Sequence, residues 1–173
     1  MNRIRVLFLC TGNSARSQMA EALLREYAGD RFEVYSAGLE PKDIHPYTWR
    51  VMKEIGLDLA GQRSKHVSEY MGKMHFGYVV TVCAQAEEKC PAAFPGMGQR
   101  LHWALDDPAA FVGTDAEIRR KFRQVRDQIE ERIRVWLAEL DISPTRASDV
   151  PKGMPSEPGS FLQESHPDDT SSI

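Results

Sequence analysis

An apolar run, Val6-Leu7-Phe8-Leu9, opens directly into a loop of small residues, Cys10-Thr11-Gly12-Asn13-Ser14-Ala15-Arg16-Ser17. Apolar positions at helical spacing follow at Met19, Ala20, Leu23, Leu24 and Tyr27. A continuous apolar strand, a tight loop and an amphipathic helix are the opening of a parallel strand–helix unit, because only a sheet covered on both faces needs an unbroken apolar strand. The loop also carries chemistry, since it sets a cysteine and an arginine six positions apart at the mouth of the strand. The backbone N–H groups of Thr11 to Arg16 can ring an oxyanion, and the following helix turns its positive end to the same point. Arg16 can hold two anion oxygens with a planar fork. Such surroundings lower a cysteine pKa from about 8.5 to ~7 or below, which makes Cys10 the expected nucleophile. The plainer alternative is a buried cysteine that ends a strand beside an unrelated arginine.

The rest of the chain keeps alternating. Ile4–Leu9, Phe32–Ser36, Tyr78–Val82 and Leu101–Leu105 read as strands. Ala15–Tyr27 reads as a helix closed by Gly29-Asp30, and Pro46 starts a second helix that Gly56 stops near Ile55. Val67–Met71 reads as one further short helix. Thr114-Asp115-Ala116-Glu117 is a capping box, and Ile118, Phe122, Val125, Ile129, Ile133, Trp136, Leu137 and Leu140 follow at core spacing. The expected fold class is α/β: one three-layer domain over residues 1–141, with a four-stranded parallel sheet flanked by helices. In such sheets ligands sit beyond the carboxyl ends of the strands, where Cys10, Cys83 and Asp107 all fall. Residues 142–173 are dense in Pro, Ser and acidic side chains and read as a disordered tail, with a peptide-docking segment as the alternative.

Composition excludes several classes. The 173 residues are 42% hydrophobic and carry a formal charge of −3, so no basic face invites nucleic acid. Arg119, Arg120, Lys121, Arg123 and Arg126 are balanced by Asp115, Glu117, Asp127, Glu130 and Glu131, which describes a solvated helix face. No apolar segment approaches the roughly 20 residues that span a bilayer. Three cysteines are an odd set for a disulfide framework and fit redox or catalytic work in a reducing compartment. A cytoplasmic monomer is the expectation.

The chain resembles the thioredoxin-coupled arsenate reductases, which are built on the low-molecular-weight protein tyrosine phosphatase fold. The carriers are Cys10 to Glu21, Val80-Thr81-Val82-Cys83 with Cys90-Pro91, and Asp106-Asp107-Pro108, within a match over residues 3–140. The resemblance implies that Cys10 attacks arsenate and that Arg16 and the loop amides hold the oxyanion. It further implies that Ser17 donates to the Cys10 thiolate and Asp107 protonates the departing oxygen. Cys83 then attacks Cys10, arsenite leaves, Cys90 attacks Cys83, and thioredoxin reduces the Cys83–Cys90 disulfide. A phosphatase using Cys10, Arg16 and Asp107 is the alternative, although Ala109-Ala110 stand where phosphatases place aromatics. A third reading is a non-catalytic oxyanion-binding or redox-sensing protein.

Between Cys83 and Cys90, Ala84-Gln85-Ala86-Glu87-Glu88-Lys89 is a good helix-former. At ~1.5 Å per residue it would hold the Cys83 and Cys90 α-carbons about 10 Å apart, beyond the ~7 Å limit of a disulfide, so it must open for that bond to form. Two buried structural thiols are the plain alternative for this pair, and their spacing does not suit zinc; no metal site is expected from these cysteines. Asn13 is expected to prop the loop. Tyr47 and Trp49 belong either to core or to a site wall, and His45, His66, His75 and His102 read as structural or exposed. The family resemblance also implies a potassium ion near Asn13, Glu21 and Ser36. The neighbouring Gln62-Arg63-Ser64-Lys65 offers a Lys65 or Arg63 cation in the ion's place.

Overall fold

The computed structural model describes residues 2–90 and 95–145. Its elements run β1 (Ile4–Cys10), α1 (Arg16–Ala28), β2 (Phe32–Gly38), α2 (Pro46–Glu54), β3 (Phe76–Thr81), α3 (Ala84–Lys89), β4 (Met97–His102) and α4 (Asp115–Glu139). Single 3₁₀ turns lie at Val67–Glu69 and Pro108–Ala110. The sheet order is β2-β1-β3-β4 and every pairing is parallel. β1 is therefore central. Its Val6, Leu7, Phe8 and Leu9 point alternately to the two faces, yet all have no exposed surface, so both faces are covered. Burial of each such side chain contributes about 1.5–3 kcal/mol.

An aromatic cluster joins α4 to the sheet. Trp136 stacks on Phe32 at 5.4 Å and meets Tyr78 and Trp103 edge-on at 5.0 and 5.9 Å. The capping box at Thr114 and Glu117 is formed in both directions, and it starts α4 where the sequence places it. Arg126, nearly buried in α4, donates to the Val51 carbonyl at 2.7 Å and pairs with Glu54, which fixes α2 against α4.

The fourth strand departs from expectation. It spans Met97–His102 rather than Leu101–Leu105, and Trp103 to Asp107 have left the sheet. Gly98, Gln99 and Arg100 give no apolar signal because β4 is an edge strand with one neighbour and solvent contact along much of its length. The Val67–Met71 helix is a single 3₁₀ turn, Val67–Glu69. Of the stretch read as a tail, Ile142 packs on the core, and Thr145 donates its N–H and hydroxyl to the Tyr27 carbonyl, both at 2.8 Å. The remainder of that stretch, from residue 146, lies outside the described residues.

Candidate active site

Cys10 is the last residue of β1, and the loop after it folds back over the strand end. Its carbonyls are taken up one after another by the segment that follows β2. Leu39 N–H donates to Cys10 O, Glu40 N–H to Thr11 O, Lys42 N–H to Gly12 O, and His45 N–H to Ser14 O, at 2.8–3.2 Å. With these carbonyls engaged by the segment after β2, the loop's backbone N–H groups are the donors it can offer an anion. α1 adds to this, because its first turn has no side-chain cap and no acidic residue. Its orphan N–H groups are thus available to an anion. Gly38 lies under the loop, where a Cβ would come within 2.6 Å of the Thr11 carbonyl oxygen. Only glycine permits that approach.

Asn13 is the brace. It is fully buried with φ +48°, a left-handed conformation that asparagine tolerates. Its Nδ2 donates to Ser17 Oγ and Ser36 Oγ at 2.8 and 3.0 Å, and its Oδ1 accepts from Gln18 Nε2 and Lys65 N–H at 3.0 and 2.9 Å. All four side-chain positions are used. Asn13 thus supports the loop by its side chain, while its own N–H reaches the Cys10 sulfur at 3.0 Å.

Ser17 Oγ lies 2.9 Å from Cys10 Sγ. Arg16 is nearly buried; one nitrogen donates to the Leu105 carbonyl at 3.0 Å and another pairs with Asp107 at 3.5 Å. That grip brings the irregular segment after β4 to the cleft, so Asp107 reaches the site although β4 ends five residues earlier. Asp107 is half-exposed and its other oxygen accepts the Ala109 N–H at 3.0 Å, capping the Pro108–Ala110 turn. Ser14 turns its hydroxyl away, to the Asp43 carbonyl at 2.9 Å. Cys83, just past β3, caps α3 with its sulfur accepting Ala86 N–H at 3.4 Å. The Thr11 hydroxyl bridges it to the loop, 3.5 Å from Cys83 Sγ and 2.9 Å from Gln85 Oε1. Cys10, Cys83, Arg16 and Asp107 all line one cleft of about 760 Å³. Cys90 does not; it is buried at the far end of α3, and all three thiols are free.

The expected low Cys10 pKa is not what this geometry yields. Complete burial pushes the thiol up, against Ser17, Arg16 and the Asn13 N–H, which pull it down. The loop donors compensate the loss of water only in part.

Lys42, His45 and Gln85 are among the cleft residues that the sequence does not mark for it, His45 having read as structural or exposed. The first two arrive with the segment that hydrogen-bonds the loop, a long-range pairing that no spacing encodes. His45 caps α2 by accepting Tyr47 N–H on Nδ1 at 3.2 Å, and burial holds its pKa below the usual histidine value, opposed by Asp107. Tyr47 packs against Phe122 and Trp49 is half-exposed on a separate groove, so neither is a wall of this site.

Below the loop, Ser36 donates to Glu21, which also accepts from Arg25 at 2.5 Å. Lys65 is buried with its ammonium 3.6 Å from Glu21 and donating to the Arg63 carbonyl at 2.7 Å. Burial pushes Lys65 down and Glu21 pulls it up. Arg63 points elsewhere, to Glu69. The place where the resemblance implies potassium thus already has a lysine ammonium at its carboxylate, and the donor set does not fit a second cation.

Comparison with known proteins agrees with this architecture. Residues 5–145 match the family model described as low molecular weight phosphotyrosine protein phosphatase. An arsenate reductase of Halalkalibacterium halodurans is 45% identical over 79% of this chain and 96% of its own. A solved arsenate reductase in the phosphate binding state superposes with a TM-score of 0.62 at 31% identity, covering 79% of this chain and 98% of the other. The thioredoxin-dependent arsenate reductase of Corynebacterium glutamicum superposes at 0.60 with 32% identity over 80% of this chain and 62% of that one. A family model matching residues 5–145, together with identity spread over four-fifths of the chain, places this protein in the low molecular weight phosphotyrosine protein phosphatase family, among its arsenate reductases.

Proposed function

We propose that this protein reduces arsenate to arsenite with Cys10 as nucleophile, passes the oxidation to Cys83 and then Cys90, and is regenerated by thioredoxin. The observation that carries it is a second thiol, Cys83, in the wall of the oxyanion cleft that holds Cys10. Phosphoester hydrolysis has no use for a thiol there; reduction needs one. The relatives named arsenate reductase support the substrate, and the thioredoxin-dependent one supports the reductant.

Arsenate enters the ring of loop amides and Arg16, and Cys10 attacks arsenic. Asp107 gives a proton to the departing oxygen, which leaves as water. Cys83 attacks Cys10 Sγ, the sulfur–arsenic bond breaks with its electron pair going to arsenic, and arsenite leaves behind a Cys10–Cys83 disulfide. Cys90 then attacks Cys83, a Cys83–Cys90 disulfide forms, and Cys10 is freed as thiolate. The Cys10 thiol, pushed up by burial, surrenders its proton as the attack begins, and the basic oxygens of the oxyanion are next to it. Incubating reduced protein with arsenate and no reductant, then alkylating and mapping disulfides by mass spectrometry, tests the scheme. The expected result is one arsenite per chain, a Cys83–Cys90 bond and free Cys10. Three reduced thiols alongside phosphoester hydrolysis would make it a phosphatase instead.

Lys65 in place of a bound cation gives a second expectation. Exchanging sodium for potassium at constant ionic strength should change turnover by less than about twofold and leave the melting temperature unmoved, since an ion that does not bind cannot stabilise. A clear rise in either would show that potassium still enters beside Glu21.

A further inference from the structure

The three cysteines do not occupy one place. Cys10 and Cys83 share the cleft, whereas Cys90 ends α3 and is buried. With α3 helical from Ala84 to Lys89, the Cys83 and Cys90 α-carbons stand about 10 Å apart, too far for a disulfide. Any route to Cys83–Cys90 must open this helix. Six residues make a short helix that would be marginal alone. Something in the tertiary structure therefore keeps it closed.

That something is a charged cluster on the neighbouring strands. Arg100 of β4 donates to the Glu87 carbonyl at 2.7 Å and to the Cys90 carbonyl at 3.2 Å, taking up two orphan carbonyls at the end of α3. It also meets the Glu87 carboxylate at 3.2 Å. Thr81 of β3 donates its hydroxyl to that same carboxylate, and His102 of β4 faces it at 3.6 Å. A cation at a helix C-terminus is favourable in itself. The Arg100 side chain is largely buried, so its contacts are less screened than those of a surface pair. None of these groups touches the oxyanion cleft.

We propose that Arg100 and Glu87 are positioning residues for the second thiol exchange: they latch α3 closed over Cys90, and their release sets the rate at which Cys90 reaches Cys83. The inference rests on the cysteine relay proposed above. In that exchange the Cys90 sulfur bonds to Cys83, the Cys10–Cys83 bond breaks, and Cys10 leaves with the electron pair. The proton of Cys90 passes to solvent or to Cys10, and no external oxidant is needed. Arg100 has a second effect on the same atom. Burial pushes the Cys90 thiol up, while the guanidinium pulls it down and Glu87 pushes it up further. The residue that holds Cys90 in place thus also readies it as a nucleophile.

The test compares the full-length wild type with Glu87→Gln, Arg100→Gln and Arg100→Lys. Reduced protein is mixed rapidly with arsenate, quenched, alkylated and mapped through time. Glutamine at 87 keeps the acceptor for Thr81 but loses the charge that holds Arg100. It should speed conversion of Cys10–Cys83 to Cys83–Cys90 by about threefold to tenfold, the worth of one partly buried charge-assisted contact. The earlier formation of Cys10–Cys83 should not change. Hydrogen exchange of the Ala84–Lys89 amides in the reduced protein, which needs no arsenate, should quicken in Glu87→Gln. Arg100→Gln should raise the pH at which Cys90 alkylates, and Arg100→Lys should restore it. Unchanged amide exchange and unchanged conversion in Glu87→Gln would overturn the latch. Wild type that forms neither disulfide would overturn the relay, and the amide exchange would still decide whether the latch exists.

Discussion

Replacing Cys83 by serine should end arsenate reduction, with less than one arsenite released per chain, while hydrolysis of a small aryl phosphate stays within about threefold of wild type. The separation follows from where the two thiols sit. In the proposed scheme Cys10, Arg16 and Asp107 hold and attack the oxyanion without Cys83, and Cys83 is the second thiol in that cleft, placed to attack Cys10. Serine suits the position in every other respect. The sulfur of Cys83 accepts the Ala86 N–H at the start of α3, and a serine hydroxyl is among the preferred groups for that cap. It also stays within reach of the Thr11 hydroxyl, so the fold and the cleft should survive. The measurement is a pair of assays on one preparation, arsenite release and phosphoester hydrolysis, with the melting temperature as control. Retained arsenite turnover would remove Cys83 from the relay. Joint loss of both activities would mean that Cys83 is needed for the shape of the cleft.

Arg16→Lys should lower kcat/KM for arsenate by about 10²–10³-fold, the usual cost of removing a preorganised oxyanion donor. Lysine keeps the charge but loses the fork. In the structure one guanidinium nitrogen is spent on the Leu105 carbonyl and another faces Asp107, and this bidentate reach holds the segment carrying the acid against the nucleophile loop. An ammonium can serve one of these partners at a time. The change should therefore damage both binding of the oxyanion and delivery of its proton, so KM rises and kcat falls together. Since the charge remains, Cys10 should keep its place above the ordinary cysteine range, where burial puts it. Its alkylation should accelerate as pH rises through that raised pKa in both proteins. A variant that lost only affinity, with kcat intact, would show that Arg16 does not position Asp107.

The strand–loop–helix around Cys10 was legible because all its information is local: an apolar run, small residues, then helical spacing. The same holds for the α4 cap and for the apolar stripe that carries Trp136. β4 lies at Met97–His102 rather than at the expected Leu101–Leu105, since edge position replaces apolar alternation with Gly98, Gln99 and Arg100. The Cys10 pKa was misjudged for a related reason. Burial raises it and the loop donors lower it, and only coordinates show that burial is complete.

Sequence alone determined which groups are available for chemistry, because a thiol, a guanidinium and a carboxyl are properties of side chains, and their local motif sets the loop. Its propensities also favour a helix over Ala84–Lys89, although so short a helix would be marginal alone. Tertiary structure decided where those groups point. The segment 39–48 takes up the loop carbonyls, Lys65 rather than Arg63 fills the space beside Glu21, and Arg100 bonds the Glu87 and Cys90 carbonyls at the end of α3. Each is a contact between residues far apart in the chain. Such contacts are selected by the packing of the whole core, so no local pattern can announce them.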